Sequence, residues 1–212
     1  MSILVKKSEK EIREEVVAAT ISLYSKGLNS TLSGNVSARL GENTMLLTPT
    51  GSTGILKGNI RPEQLSVVTL DGELINGPKN SSEWRVHAKI YKEMPKINAI
   101  VHPHPIDSIF FVMNNDISKT SLIPEIFVEL GEARYYLGSS KPPYVGISKG
   151  ASGSQELADD VFSEIKRKEV SIVIMEGHGT VAIGTNMAEA LGRAEQLEYY
   201  AKISNMKIAQ KR

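Results

Sequence analysis

The sequence predicts one α+β domain over residues 1–212, and three observations carry that expectation. Stretches of helical period alternate with short β-rich runs, two pairs of those runs fold back around turn residues, and no repeat, low-complexity tract or linker divides the chain. A chain of 212 residues buries roughly 70% of the surface it exposes when unfolded, which suits one core better than two. Hydrophobic residues at 41% against 23% charged ones are enough to close that core.

The first element is an amphipathic helix over Glu9–Tyr24. Ile12, Val16, Ala19 and Leu23 recur there at three- and four-residue steps between charges, and Gly27 stops the run. Val36–Leu40 and Met45–Thr48 flank Gly41, Glu42 and Asn43 as a hairpin, and Leu65–Leu70 and Glu73–Ile75 flank Asp71-Gly72 as a second. A helix capped by Ser81 or Ser82 follows, with Trp84, Ala88 and Tyr91 at helical spacing and an end at Met94-Pro95. Ala99–Val101 is a short buried strand. Gly138–Ser154 is rich in Gly, Ser, Pro and Lys, a long loop of the functional or mobile kind with room for a short strand over Pro143–Ile147. Gln155–Lys168 is helical, Val170–Met175 and Thr180–Ile183 are strands joined by a turn at Glu176–Gly179, and a final helix starts at Met187. The closing KIAQKR segment is a solvated helix end.

Composition excludes several function classes. A formal charge of +1, from 25 basic and 24 acidic side chains, supplies no field for nucleic acid or an anionic membrane, so any anion must be held locally. With no cysteine, disulfides, zinc ribbons and thiol nucleophiles are excluded, leaving histidine and carboxylate as the strong metal ligands. The opening MSILVKKSEKEIREE has too short an apolar run for a secretory signal, and no stretch of about 18 apolar residues occurs, so a cytoplasmic chain is expected.

Two of the four histidines stand as His102-Pro103-His104 directly after an apolar strand. Residues two apart on a strand share a face, so both imidazoles can point at one centre, and the intervening proline limits the entropy lost on fixing them. His178, between Gly177 and Gly179, is a third candidate, because flanking glycines permit a tight turn and a close backbone approach. Three histidines with an open fourth position suit zinc as a Lewis acid better than calcium or magnesium, with manganese or cobalt as substitutes. His87 lies four residues after Glu83 on the same helical face, placed either to orient Glu83 or simply to pack.

Ser81-Ser82-Glu83 at a helix start offers hydroxyls and free N–H groups to an anion, or simply caps the helix. Ser33–Ser37 and Thr48–Gly54 are similarly small, hydroxyl-rich and glycine-bearing, and three such loops converging would cradle a phosphate without net positive charge. Their glycine spacing fits neither a dinucleotide fingerprint nor a Walker loop.

In series, Ser33–Arg39 (SGNVSAR), Leu47–Gly51 (LTPTG), Ser81–His87 (SSEWRVH), Val101–His104 (VHPH) and Gly177–Gly179 (GHG) make the chain resemble the class II aldolase and adducin-type family, with its fuculose-phosphate aldolase branch nearest. The resemblance implies an α/β/α sandwich around a largely antiparallel sheet and a cyclic homotetramer with sites near subunit interfaces. It implies one zinc ion per subunit held by His102, His104 and His178, with Glu83 as the catalytic acid/base that also approaches the metal. Gly34, Asn35, Thr50, Gly51, Ser81 and Ser82 would bind the phosphate of a sugar-phosphate substrate. The implied reaction is reversible cleavage of a ketose 1-phosphate to dihydroxyacetone phosphate and a short aldehyde through a metal-stabilised enediolate.

Burial should raise the pKa of Glu83 while a nearby cation lowers it, with the sequence leaving the winner open. Three relatives of the family define the alternatives: a ribulose-phosphate epimerase, which typically carries aspartate at the position of Glu83, a methylthioribulose-phosphate dehydratase, and a non-catalytic adducin-like domain, which tends to have lost the metal ligands. The fuculose branch has a tyrosine after the segment matching Ile123-Pro124 that assists protonation. Here Glu125–Val128 contains none, leaving Tyr135, Tyr136 or Tyr144 as substitutes, and the chain ends at Arg212 without the branch's tyrosine-bearing extension.

Overall fold

The computed structural model describes residues 7–116, 120–139, 142 and 144–210. The opening segment before Lys7, the Pro143 start of the expected short strand and the last two residues of the basic tail lie outside them.

Helix α1 (Glu9–Ser25) begins where Ser8 and Glu11 satisfy each other's backbone. The Glu11 N–H donates to Ser8 Oγ at 3.3 Å and the Ser8 N–H donates to the Glu11 carboxylate at 2.7 Å, a reciprocal cap. Strands β1 (Asn35–Arg39) and β2 (Thr44–Leu47) form the first hairpin, with Ala38 opposite Leu46. Strands β3 (Ser66–Thr69) and β4 (Leu74–Asn76) form the second around Asp71-Gly72. Helix α2 (Trp84–Glu93), strand β5 (Ala99–His102) and helices α3 (Ile106–Asn114), α4 (Glu125–Glu129) and α5 (Glu132–Leu137) follow. The chain continues with β6 (Gly146–Ser148), α6 (Gln155–Lys168), β7 (Ile172–Met175), β8 (Gly179–Gly184) and α7 (Met187–Ala209).

The strands make one eight-stranded sheet in the order β4-β3-β2-β1-β5-β8-β7-β6. Every pairing is antiparallel except β6 with β7, which α6 connects as a parallel crossover. Alternation along the strands divides the core in two. Val36, Ala38, Val101, Ile172 and Ile174 pack on the face covered by α1, α3 and α7, whereas Met45, Ile100, Val173, Val181 and Ile183 pack on the face covered by α2 and α6. The layering is the expected α/β/α sandwich. Adjacent strands run opposite ways, so the start of β1, the end of β5 and the start of β8 meet on one edge, with Asn35 directly opposite His102.

Two readings of the sequence need correction. Neither Ser81 nor Ser82 is the cap of α2; that position belongs to Glu83. The Ser81 N–H is tied to Thr48 O at 3.2 Å and the Trp84 N–H donates to Ser81 O at 3.3 Å, so Ser81 opens a turn joined to the chain leaving β2, and the helix starts after that turn at Trp84. Helices α3, α4 and α5 carry no signal that periodicity reads. The first is apolar almost throughout, IDSIFFVMN, and the others, five and six residues long, are shorter than the window in which an amphipathic stripe shows.

Candidate active site

Among the described residues, Glu83, His102, His104 and His178 each offer one ligand atom, and those atoms lie within 4.8 Å of one another. His102 ends β5, and its Nδ1–H donates to Thr180 O on β8 at 2.8 Å, which leaves Nε2 as a lone pair facing the cluster. His104 stands just beyond the strand, its backbone N–H shared between Leu28 O at 3.0 Å and Asn29 Oδ1 at 2.9 Å. His178 enters from the β7–β8 turn, where Gly177 has a φ of +70°. A Cβ on Gly179 would stand 2.5 Å from Pro103 O and 2.8 Å from His102 Cε1, so only glycine lets this turn approach the histidine pair.

His102 Nε2 lies 2.7 Å from Glu83 Oε2 and 3.1 Å from His104 Nε2, and His178 Nε2 lies 3.3 Å from Glu83 Oε1. With Nδ1–H of His102 spent on Thr180, these are lone pairs facing lone pairs unless extra protons are supplied, and a shared cation satisfies all of them. The donor set, three imidazole nitrogens and one carboxylate, fits a zinc-type ion. Burial, followed by the charge of His102, lowers the pKa of His104 to about 4 and shifts that of His178 down, which keeps both rings neutral and able to ligate.

Glu83 is 6% exposed. Burial works to raise its pKa, but His102, which is a cation bonded to Oε2 when it carries a second proton, leads the groups that outweigh it, with the Ser152 hydroxyl behind, so the carboxyl sits well below the usual carboxylate range. The question the sequence left open is thus answered downward, and Glu83 is an ionised carboxylate. Its Oε1 accepts from Ser152 Oγ at 2.9 Å and its Oε2 from Asn35 Nδ2 at 3.1 Å.

The three small-residue segments do converge. Pro49 bridges to Asn80, the Thr50 N–H donates to Lys79 O at 3.0 Å, and a Cβ on Gly51 would fall 2.9 Å from Leu32 O. Gly34 takes a φ of +69°, and a Cβ there would strike Asn29, the residue that holds His104. Ser82 is exposed beside Gly153, whereas Ser81 is buried with its Oγ accepting from the Glu83 N–H at 3.3 Å. The side chain of Asn35 is committed to Glu83 and to His87, which lies 2.5 Å from Asn35 Oδ1 through Nε2. His87 does not touch Glu83 directly in this arrangement but reaches it through Asn35.

Sequence reasoning missed two contributors. Ser152 arrives from the long loop before α6, where length was the only signal. Lys57 is 1% exposed; its backbone N–H donates to Thr31 O at 2.9 Å and its Nζ to Pro49 O at 2.6 Å, so it staples two of the loops and places an amine behind them. The expectation of a cradle without positive charge did not include this group. Of the candidate tyrosines, Tyr135 and Tyr136 are exposed and pack edge to face against each other at 4.9 Å, and Tyr144 lines a cavity of about 700 Å³ with Val112, Leu122 and Ile123.

A buried carboxylate beside three converging imidazoles, on a mostly antiparallel α/β/α sandwich, is a donor set that could hold a metal ion. The chain belongs to the class II aldolase and adducin N-terminal domain family, whose model matches residues 14–204. It is 29% identical over 201 residues to a 3-oxo-tetronate 4-phosphate decarboxylase of Escherichia coli, covering 93% of this chain and 87% of that one. It is 34% identical over 172 residues to an L-fuculose phosphate aldolase of Methanococcus maripaludis, covering 81% and 83% respectively. Its fold superimposes on a sugar-phosphate aldolase from Thermotoga maritima with a TM-score of 0.78 at 25% identity, covering 96% of this chain and 97% of that one.

Proposed function

We propose that this protein is a zinc-dependent aldolase that reversibly cleaves a ketose 1-phosphate, of the L-fuculose 1-phosphate type, to dihydroxyacetone phosphate and a short aldehyde. The carrying observation is the ionised, buried Glu83 held within hydrogen-bond distance of two imidazoles whose free nitrogens converge. His102, His104 and His178 would hold the zinc ion, one per subunit, with Glu83 beside it. A zinc ion bound there would supply a Lewis acid able to offset the negative charge of the enediolate that cleavage leaves. In the condensation direction Glu83 takes the proton from the carbon next to the carbonyl, and in cleavage it returns it. Gly34, Thr50, Gly51, Ser81 and Ser82 bind the phosphate, with the stapled Lys57 behind them. Asn35 spends one amide hydrogen on Glu83 and has the other for a substrate oxygen. Fixing the phosphate away from the reacting carbon orients the substrate.

A second reading is 3-oxo acid 4-phosphate decarboxylation, and the tyrosines favour it. Cleaving a ketose to an aldehyde requires a group to take the hydroxyl proton, and Tyr135, Tyr136 and Tyr144 occupy an exposed pair and a separate cavity. Loss of carbon dioxide leaves the same kind of enediolate and needs no such group. Epimerase chemistry fits less well, because it also needs a proton carrier on the aldehyde fragment. Steady-state turnover of L-fuculose 1-phosphate and of 3-oxo-tetronate 4-phosphate on the same zinc-loaded protein separates them: aldehyde release at the higher kcat/KM supports the aldolase, and carbon dioxide release at the higher kcat/KM replaces it.

We also infer a homotetramer. On α3, Ile106, Phe110 and Met113 share one helical face and are 74%, 54% and 61% exposed, apolar surface that a second copy would cover. Balanced charge, the lack of cysteine and the absence of a helix long and apolar enough to cross a membrane, among the described residues, support a cytoplasmic protein.

A further inference from the structure

The contacts behind Glu83 form an unbroken buried line. Asn35 and Ser37 stand two apart on β1, and Glu83, His87 and Tyr91 stand four apart along α2 and its cap, so strand and helix present their polar residues to each other in step. Tyr91 OH lies 2.8 Å from Ser37 Oγ, Ser37 Oγ lies 2.6 Å from His87 Nδ1, His87 Nε2 lies 2.5 Å from Asn35 Oδ1, and Asn35 Nδ2 lies 3.1 Å from Glu83 Oε2. All five side chains are buried, Ser37, His87 and Tyr91 to within 1% of completely.

The chemistry of the end group fixes every direction. A carboxylate only accepts, so the Asn35 amide must turn its nitrogen to Glu83 and its oxygen to His87. That oxygen requires a proton on His87 Nε2. A neutral imidazole then offers Nδ1 as acceptor, Ser37 donates to it, and the Ser37 oxygen in turn accepts from Tyr91. Burial supports the neutral ring, pushing His87 down to about 3, and it raises Tyr91, which keeps the phenol protonated.

We propose that Tyr91, Ser37 and His87 are positioning residues that act through Asn35 to fix the rotation of the Glu83 carboxylate, leaving Oε1 on the Ser152 side as the oxygen that exchanges protons with substrate. Any change of hydrogen-bond direction along the line leaves a buried donor or acceptor unpaired, so the arrangement has one low-energy state. The tautomer is independent of what the enzyme acts on, whereas the catalytic consequence rests on the aldolase reading.

The test has two arms on the full-length, zinc-loaded protein. Nitrogen-15 NMR of labelled histidine at pH 7 reads the tautomer of His87; a neutral ring protonated on Nε2 is expected, and protonation on Nδ1 or on both nitrogens overturns the chain. Deuterium exchange into dihydroxyacetone phosphate reads the base. His87→Met, which removes the donor to Asn35, is expected to lower the exchange kcat by about 10- to 100-fold with KM and zinc content near wild type. His87→Gln, whose amide N–H can reach Asn35, is expected to recover part of the loss. Wild-type exchange in His87→Met, an effect confined to KM, or equal losses in both variants overturns the positioning role. Absence of exchange in the wild type rejects the aldolase reading, with the tautomer still deciding the chain.

Discussion

Lys57 carries an electrostatic cost that its position explains. Its amine is buried with one carbonyl partner, and burial lowers its pKa from the ordinary 10.5 to about 8. Below pH 8 the amine is protonated whether folded or not, and the folded state carries the full penalty, about 3 kcal/mol. Between pH 8 and 10.5 the unfolded chain binds the extra proton, so the penalty fades and stability from this group rises with pH. Urea unfolding at pH 7 and pH 10 should therefore show wild type gaining about 2 kcal/mol relative to Lys57→Met over that interval. A constant difference between the two would place the amine in solvent contact. The roles proposed for Glu83 and His102 are separable at the same scale. Glu83→Gln should retain zinc, measured by elemental analysis, while turnover falls about 100-fold or more, and His102→Ala should lose both.

At the scale of elements, the β7–β8 turn and the end of β5 act as one unit, because the Thr180 N–H donates to Pro103 O at 3.0 Å while His102 Nδ1–H donates back to Thr180 O. A Cβ at Gly179 would drive into that unit. Gly179→Ala should weaken zinc binding about 10-fold or more in competition with a chromogenic chelator, with less effect on the far edge of the sheet. The histidines of this unit were legible because a strand end, a proline and two glycines are local signals. The hairpins were legible for the same reason, each having its turn residues between its strands. Helices α3 to α5 were not, since their helical character comes from packing rather than from an amphipathic stripe of sufficient length. Ser152 and Lys57 reach the site by contacts spanning 69 and 8 residues, and no local pattern marks either. For His87 the sequence shows only its spacing from Glu83, because the Asn35 amide that bonds to both comes from a strand 52 residues earlier in the chain than the ring.

For the whole molecule, antiparallel order is what makes the site possible. It brings the start of β1, the end of β5 and the start of β8 to one edge, while α2 on one face supplies Glu83 and the loop before α6 supplies Ser152. The opposite face leaves the apolar side of α3 uncovered. On the proposal of a homotetramer, replacing Ile106 and Phe110 with lysine should give smaller species than the wild type in light scattering, without lowering the thermal midpoint of the monomer fold by more than a few degrees. Unchanged mass would assign that face to another role. The central claim, that Glu83 and the three histidines form a metal-dependent carbon–carbon lyase, is tested most directly by condensation. Dihydroxyacetone phosphate is offered with lactaldehyde and with glycolaldehyde to zinc-loaded protein, to chelator-treated protein and to the same protein after zinc is restored. Ketose 1-phosphate that vanishes with chelator and returns with zinc is the predicted result, and product that persists without metal, or none with zinc bound, would contradict the aldolase.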